Sequence, residues 1–315
     1  MWKRILGICG AAAAGLAMYQ FALPTVMATG WAVAMKVSSR GQLCSWNNTL
    51  TFSSKLAKFS TMYQAARNDL HVVERDDAAN IEKTASLDYP QLWSQRRGHE
   101  EDIRGFGWLL AEHRWLEQNN PADHVAPGDI VFDCGAHVGV FTGTALRRGA
   151  AKVVAIEPDP VNVECLRRNF KKEIAEGKVI VQQVGVWNSE GSMKLSLGEG
   201  GNTGTNSMWS KQSEKSIEVP VTTIDKLVAK LELSKVTFIK MDIEGAEREA
   251  LLGAAETLKK HRPRLMLDLN HRPDDAEVLP AVIRQANPAY TLSPGPCQPD
   301  EYGKSAIIPH AVYFR

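Results

Sequence analysis

Hydrophobic and polar positions change rhythm along the chain, and each rhythm predicts a different kind of structure. Residues 5–35 form a run of 31 residues without a charge or a histidine, flanked by Lys3, Arg4 and Lys36. Pro24 divides it, and its first part, residues 5–23, matches a bilayer core of about 30 Å at about 1.5 Å per helical residue. Further on, Leu56, Phe59, Tyr63 and Ala66 fall at helical spacing beside Lys55, Lys58 and Arg67. That pattern predicts an amphipathic helix, either docked on the body or lying on anionic lipid. From about Asp88 short apolar runs alternate with helical periods, which predicts an α/β fold. Strands are expected at 129–133, 152–156, 179–184, 236–240 and 264–269. Helices are expected near 103–116, over 141–148 and from Glu244 or Gly245 onward. A closing antiparallel pair is expected from 289–292 and 307–314. Near-continuous apolar strands suit a parallel sheet covered on both faces.

Charge sharpens this division. Lys and Arg number 37 against 36 Asp and Glu, a formal +1, yet no acid precedes Asp69. The first 68 residues hold seven bases, so residues 69–315 carry 30 bases against 36 acids, or −6. Such a body has no field that draws nucleic acid, and RNA as a substrate is disfavoured. The uncharged run reads as a single-pass membrane anchor. A cleaved signal peptide is the rival, because Ala32-Val33-Ala34 has the small-x-small form of a cleavage site. Bases on both sides of the run nearly tie, so charge alone does not orient it. The expected organisation is a membrane segment at 1–36, a basic linker and helical extension at 37–99, and a catalytic domain at 100–315. Cys9, Cys44, Cys134, Cys165 and Cys297 form no CxxC pair, which indicates neither a zinc ribbon nor a disulfide scaffold and favours a reducing compartment.

The chemistry concentrates where strands end. Residues 129–133 run into Cys134-Gly135-Ala136-His137-Val138-Gly139 and then a helix. Gly135 and Gly139 let backbone approach a ligand, and a helix N-terminus offers free N–H groups. Glu157 ends the second strand, 22 residues beyond Gly135, where a carboxylate can accept both hydroxyls of a ribose. A dinucleotide fingerprint would need glycine at 137 and 140, where this chain has His137 and Val140. Asp133 at the mouth of the turn suits a ligand with an amino group and no pyrophosphate, such as S-adenosylmethionine (SAM).

Taken together, four segments resemble the FkbM-type SAM-dependent methyltransferases: Asp129-Ile-Val-Phe-Asp-Cys-Gly-Ala-His-Val-Gly-Val-Phe141, Val154-Ala-Ile-Glu-Pro-Asp-Pro160, Val219-Pro-Val-Thr-Thr-Ile-Asp225 and Ile239-Lys-Met-Asp-Ile-Glu-Gly-Ala-Glu247. The resemblance covers roughly residues 100–272. It implies a class I methyltransferase (Rossmann-like) fold, with a seven-stranded, mostly parallel sheet and a closing antiparallel hairpin, here preceded by an N-terminal hydrophobic helix. It implies SAM at Asp133, Gly135, His137, Gly139, Glu157 and Pro158, and methyl transfer chiefly to oxygen on sugars and secondary metabolites. This chain departs from the usual pattern at His137, where the family has Asn, and at Asp268, where it has Glu.

Methyl transfer from a sulfonium requires an aligned acceptor and a proton acceptor beside it. Asp242, Glu244 and Lys240 are the expected catalytic residues, and His137 and His271 are further candidates for the base. The expected acceptor is a hydroxyl of a sugar, a lipid-linked glycan or a small metabolite, and no metal is assigned. SAM is a cytosolic compound, which favours a body on the cytosolic side of the anchor. A membrane-tethered module that binds a nucleoside without turnover is the alternative from another class. The polar stretch 198–210 is expected to be a lid over the pocket or a disordered insertion.

Overall fold

The structure is a computed structural model that describes residues 23–38, 43–86, 91–96, 100–198, 203–210, 214–269, 271–299 and 307–315. Three helices, α1 (Leu23–Val37), α2 (Trp46–Leu50) and α3 (Phe52–Asp69), precede an antiparallel sheet of β1 (His71–Asp76), β2 (Ile81–Ala85) and β3 (Leu92–Gln95). Helix α4 (Glu100–Asn119) leads into β4 (Ile130–Cys134), α5 (Val140–Arg147), β5 (Lys152–Ile156), α6 (Pro160–Asn169), α7 (Lys171–Ala175) and β6 (Val179–Gln182). A small second sheet follows, of β7 (Gly185–Val186), β8 (Gly191–Ser196) and β9 (Ser216–Thr222). Then come α8 (Ile224–Lys230), β10 (Phe238–Met241), α9 (Glu247–Leu252), α10 (Ala255–Lys260), β11 (Arg264–Asp268) and α11 (Asp275–Ala286). The chain closes through β12 (Leu292–Pro294), β13 (Cys297–Pro299), β14 (Ile307–Pro309) and β15 (Ala311–Phe314).

Seven strands form the main sheet in the order β12-β15-β11-β10-β4-β5-β6. The five from β11 to β6 are parallel, and β15 runs antiparallel to both β11 and β12. Alternate residues of each strand go to opposite faces, because successive Cβ atoms of a strand do. Phe132, Val154, Ile239 and Leu265 pack with Ile224 of α8, Leu251 of α9, Leu258 of α10 and Ile283 of α11. Val131, Val153, Phe238 and Met266 pack on the other face with Trp115 of α4 and Phe141 of α5. Each such side chain contributes about 1.5–3 kcal/mol by leaving water. From β4 the chain goes one way to β5 and β6, and β10 and β11 lie the other way. The crevice beyond the carboxyl end of β4 is therefore the switch point where open α/β sheets bind ligands.

The details differ from expectation in places that have physical reasons. Residues 307–314 split, with β14 pairing β13 and only β15 joining the main sheet. The expected helix at Glu244 or Gly245 starts later, at Glu247, because both residues have left-handed backbone (φ 54° and 97°) that no α-helix can use. Strands β1–β3 were not expected, since β1 (His-Val-Val-Glu-Arg-Asp) is mostly exposed and shows no apolar period.

Among the described residues no helix is long and apolar enough to cross a membrane, and this overturns the single-pass anchor and the membrane localisation built on it. Residues 5–22 of the uncharged run lie outside the described residues. The remainder is α1, whose 15 residues span only about 22 Å. Its stripe of Ala28, Ala32 and Met35 packs against Cys44, Phe52, Cys297 and Ile307, so this part of the run is docked on protein. Pro24, which divides the run in the sequence, lies in the first turn of this helix. Helix α3 is also docked: Phe59 meets Trp108 and Trp115 of α4 with ring centroids 4.5 and 5.2 Å apart. The cysteines give a second correction, since Cys44 and Cys297 form a disulfide across 253 residues. No local spacing reports a pair so far apart. Cys134 and Cys165 are buried and free.

Candidate active site

The glycine turn is shaped by what surrounds it. After β4, Gly135 adopts φ 76°, and a Cβ there would lie 2.0 Å from the Asp242 carbonyl oxygen, so only glycine lets the turn meet the segment after β10. The N–H groups of Gly135 and Ala136 both donate to the Ile156 carbonyl at 3.0 Å, which fastens the turn to β5. His137 has φ 50°, a conformation that His tolerates better than most residues, and its N–H donates to Glu157 Oε2 at 2.9 Å. Glu157 Oε1 accepts from the Asp159 N–H at 3.0 Å and from Asn162 Nδ2 at 3.4 Å. Gly139 opens α5 at φ 96°, with Phe170 filling the place of a side chain.

A cavity, partly open to solvent, lies at this crevice. Gly135, His137, Glu157, Pro158, Lys240, Asp242 and Glu244 line it together, along with apolar Phe141, Ile156, Val186 and Leu195. Asp133 and Gly139 are not among the lining residues. Asp133 is fully buried, accepting from Thr142 Oγ1 at 2.6 Å, and its Oδ1 lies 3.6 Å from Lys240 Nζ. Lys240 Nζ donates to the Gly135 carbonyl at 2.9 Å and stands 3.6 Å from Asp242 Oδ2. This lysine, on β10, thus joins the glycine turn to Asp242 just beyond the strand's end.

Several contributors have no signal in the sequence. His113 of α4 and Asn206 also line the cavity. Asn206 accepts from the Gly198 N–H at 2.8 Å and donates to Asp159 Oδ2 at 2.6 Å, while Ser207 Oγ donates to the Glu244 carbonyl at 2.6 Å. The described part of the 198–210 stretch is therefore bound to the rim of the cavity. Trp209 lies against Gly245, and the Arg272 guanidinium stacks 3.5 Å from its ring centroid. Glu247, a first-turn acid by sequence, is fully buried, with Oε1 2.8 Å from His271 Nδ1.

Burial and neighbouring charge drive the carboxyls apart. Burial pushes Asp242 up, but Lys240 and then His271 outweigh it and hold the group down to about 2. Burial raises Glu244 to about 8, with the Asp242, Glu247 and Asp268 charges adding to it against His271. Burial likewise raises Glu157 to about 7, against the N–H groups of Asp159 and His137. Lys240 and His271 are both raised, since their carboxylate partners outweigh the burial that would lower them. A carboxylate that stays ionised beside one that titrates near neutrality is the pairing that proton-transfer sites require.

The methyltransferase FkbM domain matches residues 133–289, which contain the glycine turn, Glu157 and the segment from Lys240 to Glu247. The chain is 29% identical over 131 residues to the hexuronic acid methyltransferase AglP of Haloferax volcanii, covering 42% of this chain and 52% of that protein. It is 45% identical over 56 residues to the ribosomal protein L11 methyltransferase of Symbiobacterium thermophilum, covering 18% of this chain and 17% of that one. The chain thus spans about half of one curated relative's length and less than a fifth of the other's. A solved structure of methyltransferase FkbM from Methylobacillus flagellatus is 18% identical, with a TM-score of 0.45, covering 84% of this chain and 60% of that one. Through residues 133–289, the chain belongs to the methyltransferase FkbM domain family.

Proposed function

We propose that this chain transfers a methyl group from SAM to a hydroxyl oxygen of a sugar, a lipid-linked glycan or a small metabolite, in the cavity beyond β4, β5 and β10. The observation that carries this reading is the glycine turn itself. Gly135 leaves no room for a side chain, and the residues it brings together, Glu157 and Asp242, line one cavity. The donor set suits SAM. Gly135, His137 and Pro158 offer close backbone, Ile156 and Leu195 offer apolar wall, and Glu157 accepts three hydrogen bonds, leaving roughly one of its four acceptor positions for a ribose hydroxyl. Asp133 and Gly139 support the turn from behind. SAM supplies a methyl group made electrophilic by its sulfonium.

The chain's own residues then have distinct parts. Lys240 fixes Asp242 to the glycine turn, Asp242 stays anionic and orients the acceptor hydroxyl, and Glu244 takes its proton. A sugar acceptor is consistent with the activity named for the Haloferax volcanii relative, and the −6 charge of residues 69–315 is unfavourable to RNA. The test is incubation of the purified chain with methyl-labelled SAM and a panel of hexuronic acids, neutral sugars and RNA, followed by locating the label. Label on a sugar hydroxyl is the expected result. Label on RNA, or donor binding with no label on any acceptor, would refute it, the latter leaving a nucleoside-binding module.

A further inference from the structure

At one side of the cavity stand two residues that do not line it and that the roles above leave unused. Glu247 is fully buried, and its Oε1 accepts from the Ile243 N–H at 2.8 Å as well as facing His271 Nδ1 at 2.8 Å. With Nδ1 committed to that carboxylate, the ring's other nitrogen, Nε2, lies 3.6 Å from Asp242 Oδ1 and 3.7 Å from Glu244 Oε2. One imidazole therefore spans a buried carboxylate and two of the carboxylates of the cavity wall, Asp242 and Glu244. Glu244 is held there by a left-handed backbone, which costs a non-glycine residue about 1–2 kcal/mol, and by the Ser207 hydroxyl on its carbonyl. Strain kept beside a ligand cavity is a mark of function.

We propose that His271, braced by Glu247, is a positioning residue for methyl transfer: as an imidazolium it holds Asp242 and Glu244 in the arrangement and charge that accept the acceptor's proton. This deepens the function proposed above and rests on it. In the proton step the acceptor O–H bond breaks, the proton goes to a Glu244 oxygen and the electron pair stays on the acceptor oxygen; that oxygen would take the methyl group as the donor's C–S bond breaks, its pair returning to sulfur to leave a neutral thioether. The charged and titratable groups facing the ring are Asp242, Glu244 and Glu247 from the segment after β10, Asp268 from β11 and Asp275 from α11. Lys240, His113 and His310 act on Asp242 from the remaining sides. Arg248, 3.6 Å from Asp275, and Arg272 answer the outer carboxylates and Lys240 is the leading cation on Asp242, so Glu244 is the carboxylate that depends most on the imidazolium.

The experiment uses the full chain and the variants His271→Asn, Glu247→Gln and Glu247→Asp. In the unloaded protein, NMR titration of the His271 ring should show its midpoint falling by at least one pH unit in Glu247→Gln. Glu247→Asp, which keeps the charge, should stay near wild type. In turnover, His271→Asn should move the acid limb of kcat/KM upward by about one pH unit. It should lose up to roughly 10-fold at pH 7 and far less at pH 9, with calorimetric SAM affinity unchanged. A uniform loss with an unmoved limb would mean a structural role and would overturn the proposal. So would activity lost to a chelator and restored by Mn²⁺, since Asp242, Asp268 and His271 bring one atom each within 4.8 Å and would then be serving a cation. If the wild-type chain binds no SAM, the proposed function fails, and the ring titration alone then decides whether Glu247 controls His271.

Discussion

Replacing Gly135 with alanine separates two costs that the structure stacks at one position. The first is conformational: φ 76° costs an alanine about 1–2 kcal/mol. The second is steric. The new Cβ would lie 2.0 Å from the Asp242 carbonyl oxygen, more than 1 Å inside an ordinary contact of about 3.4 Å. The glycine turn is tied to β5 by two N–H groups on the Ile156 carbonyl, so the segment bearing Asp242 and Glu244 has to give way. A misplacement of about 1 Å at reacting groups costs about 100-fold in rate, or about 2.7 kcal/mol of barrier. Gly177→Ala is the control, since Gly177 has φ 69° with nothing within 4 Å of its would-be Cβ. Both variants should lose about 1–2 kcal/mol or more in urea denaturation. Only Gly135→Ala should lose donor affinity by calorimetry and about 100-fold in methyl transfer. Wild-type binding and turnover in Gly135→Ala, with the expected stability loss in Gly177→Ala, would show that the contact with Asp242 does not shape the site.

Lys240→Met leaves the fully buried Asp133 without its nearest cation and should cost about 3–5 kcal/mol, part of it recovered by adding Asp133→Asn; a loss below about 1 kcal/mol in urea would contradict the buried pairing. The Cys44–Cys297 bridge closes a loop of 253 residues, whose entropy corresponds to about 5 kcal/mol. Reductant should therefore lower the melting temperature by several degrees, and Cys44→Ala with Cys297→Ala should show the same drop and no further response; equal melting with and without reductant would argue against the bridge. Stability should fall from pH 6 to pH 9. Glu157 (about 7) and Glu244 (about 8) hold protons in the folded state that the unfolded chain releases near 4.5, so stability declines as pH rises through that interval. His310, raised to about 9 because Glu112 outweighs its burial, contributes fully below 6.5 and loses that contribution as pH rises through 9. Asp242, held down to about 2, acts the other way only below about pH 4. Calorimetric melting across this range checks the sign, and a higher melting temperature at pH 9 would refute it.

What could be read from the chain beforehand follows from locality. Strands β4, β5, β6, β10 and β11 were legible because each is a short apolar run bounded by breakers and, except at the edge strand β6, largely buried. Gly135, Glu157 and the Lys240 to Glu244 segment were legible because each sits at the tip of such a strand. Strand β1 was not, because its exposed, charged residues obey no apolar period. The Glu247 and His271 pair is separated by 24 residues, and a first-turn acid and a loop histidine each have an ordinary explanation alone. Asn206 and Ser207 are polar residues in a polar stretch, so only their partners across the cavity rim distinguish them. The uncharged run misled for the opposite reason: composition extends over 31 residues, whereas α1 begins at Leu23 and spends its apolar stripe on a protein surface.

Ser207 gathers three bonds on one hydroxyl, donating to the Glu244 carbonyl while accepting the N–H groups of Trp209 and Ser210. A single hydroxyl thus fastens the strip that places Asn206 and Met208 on the cavity wall to the backbone of Glu244, so any displacement of that strip is transmitted to the Glu244 backbone.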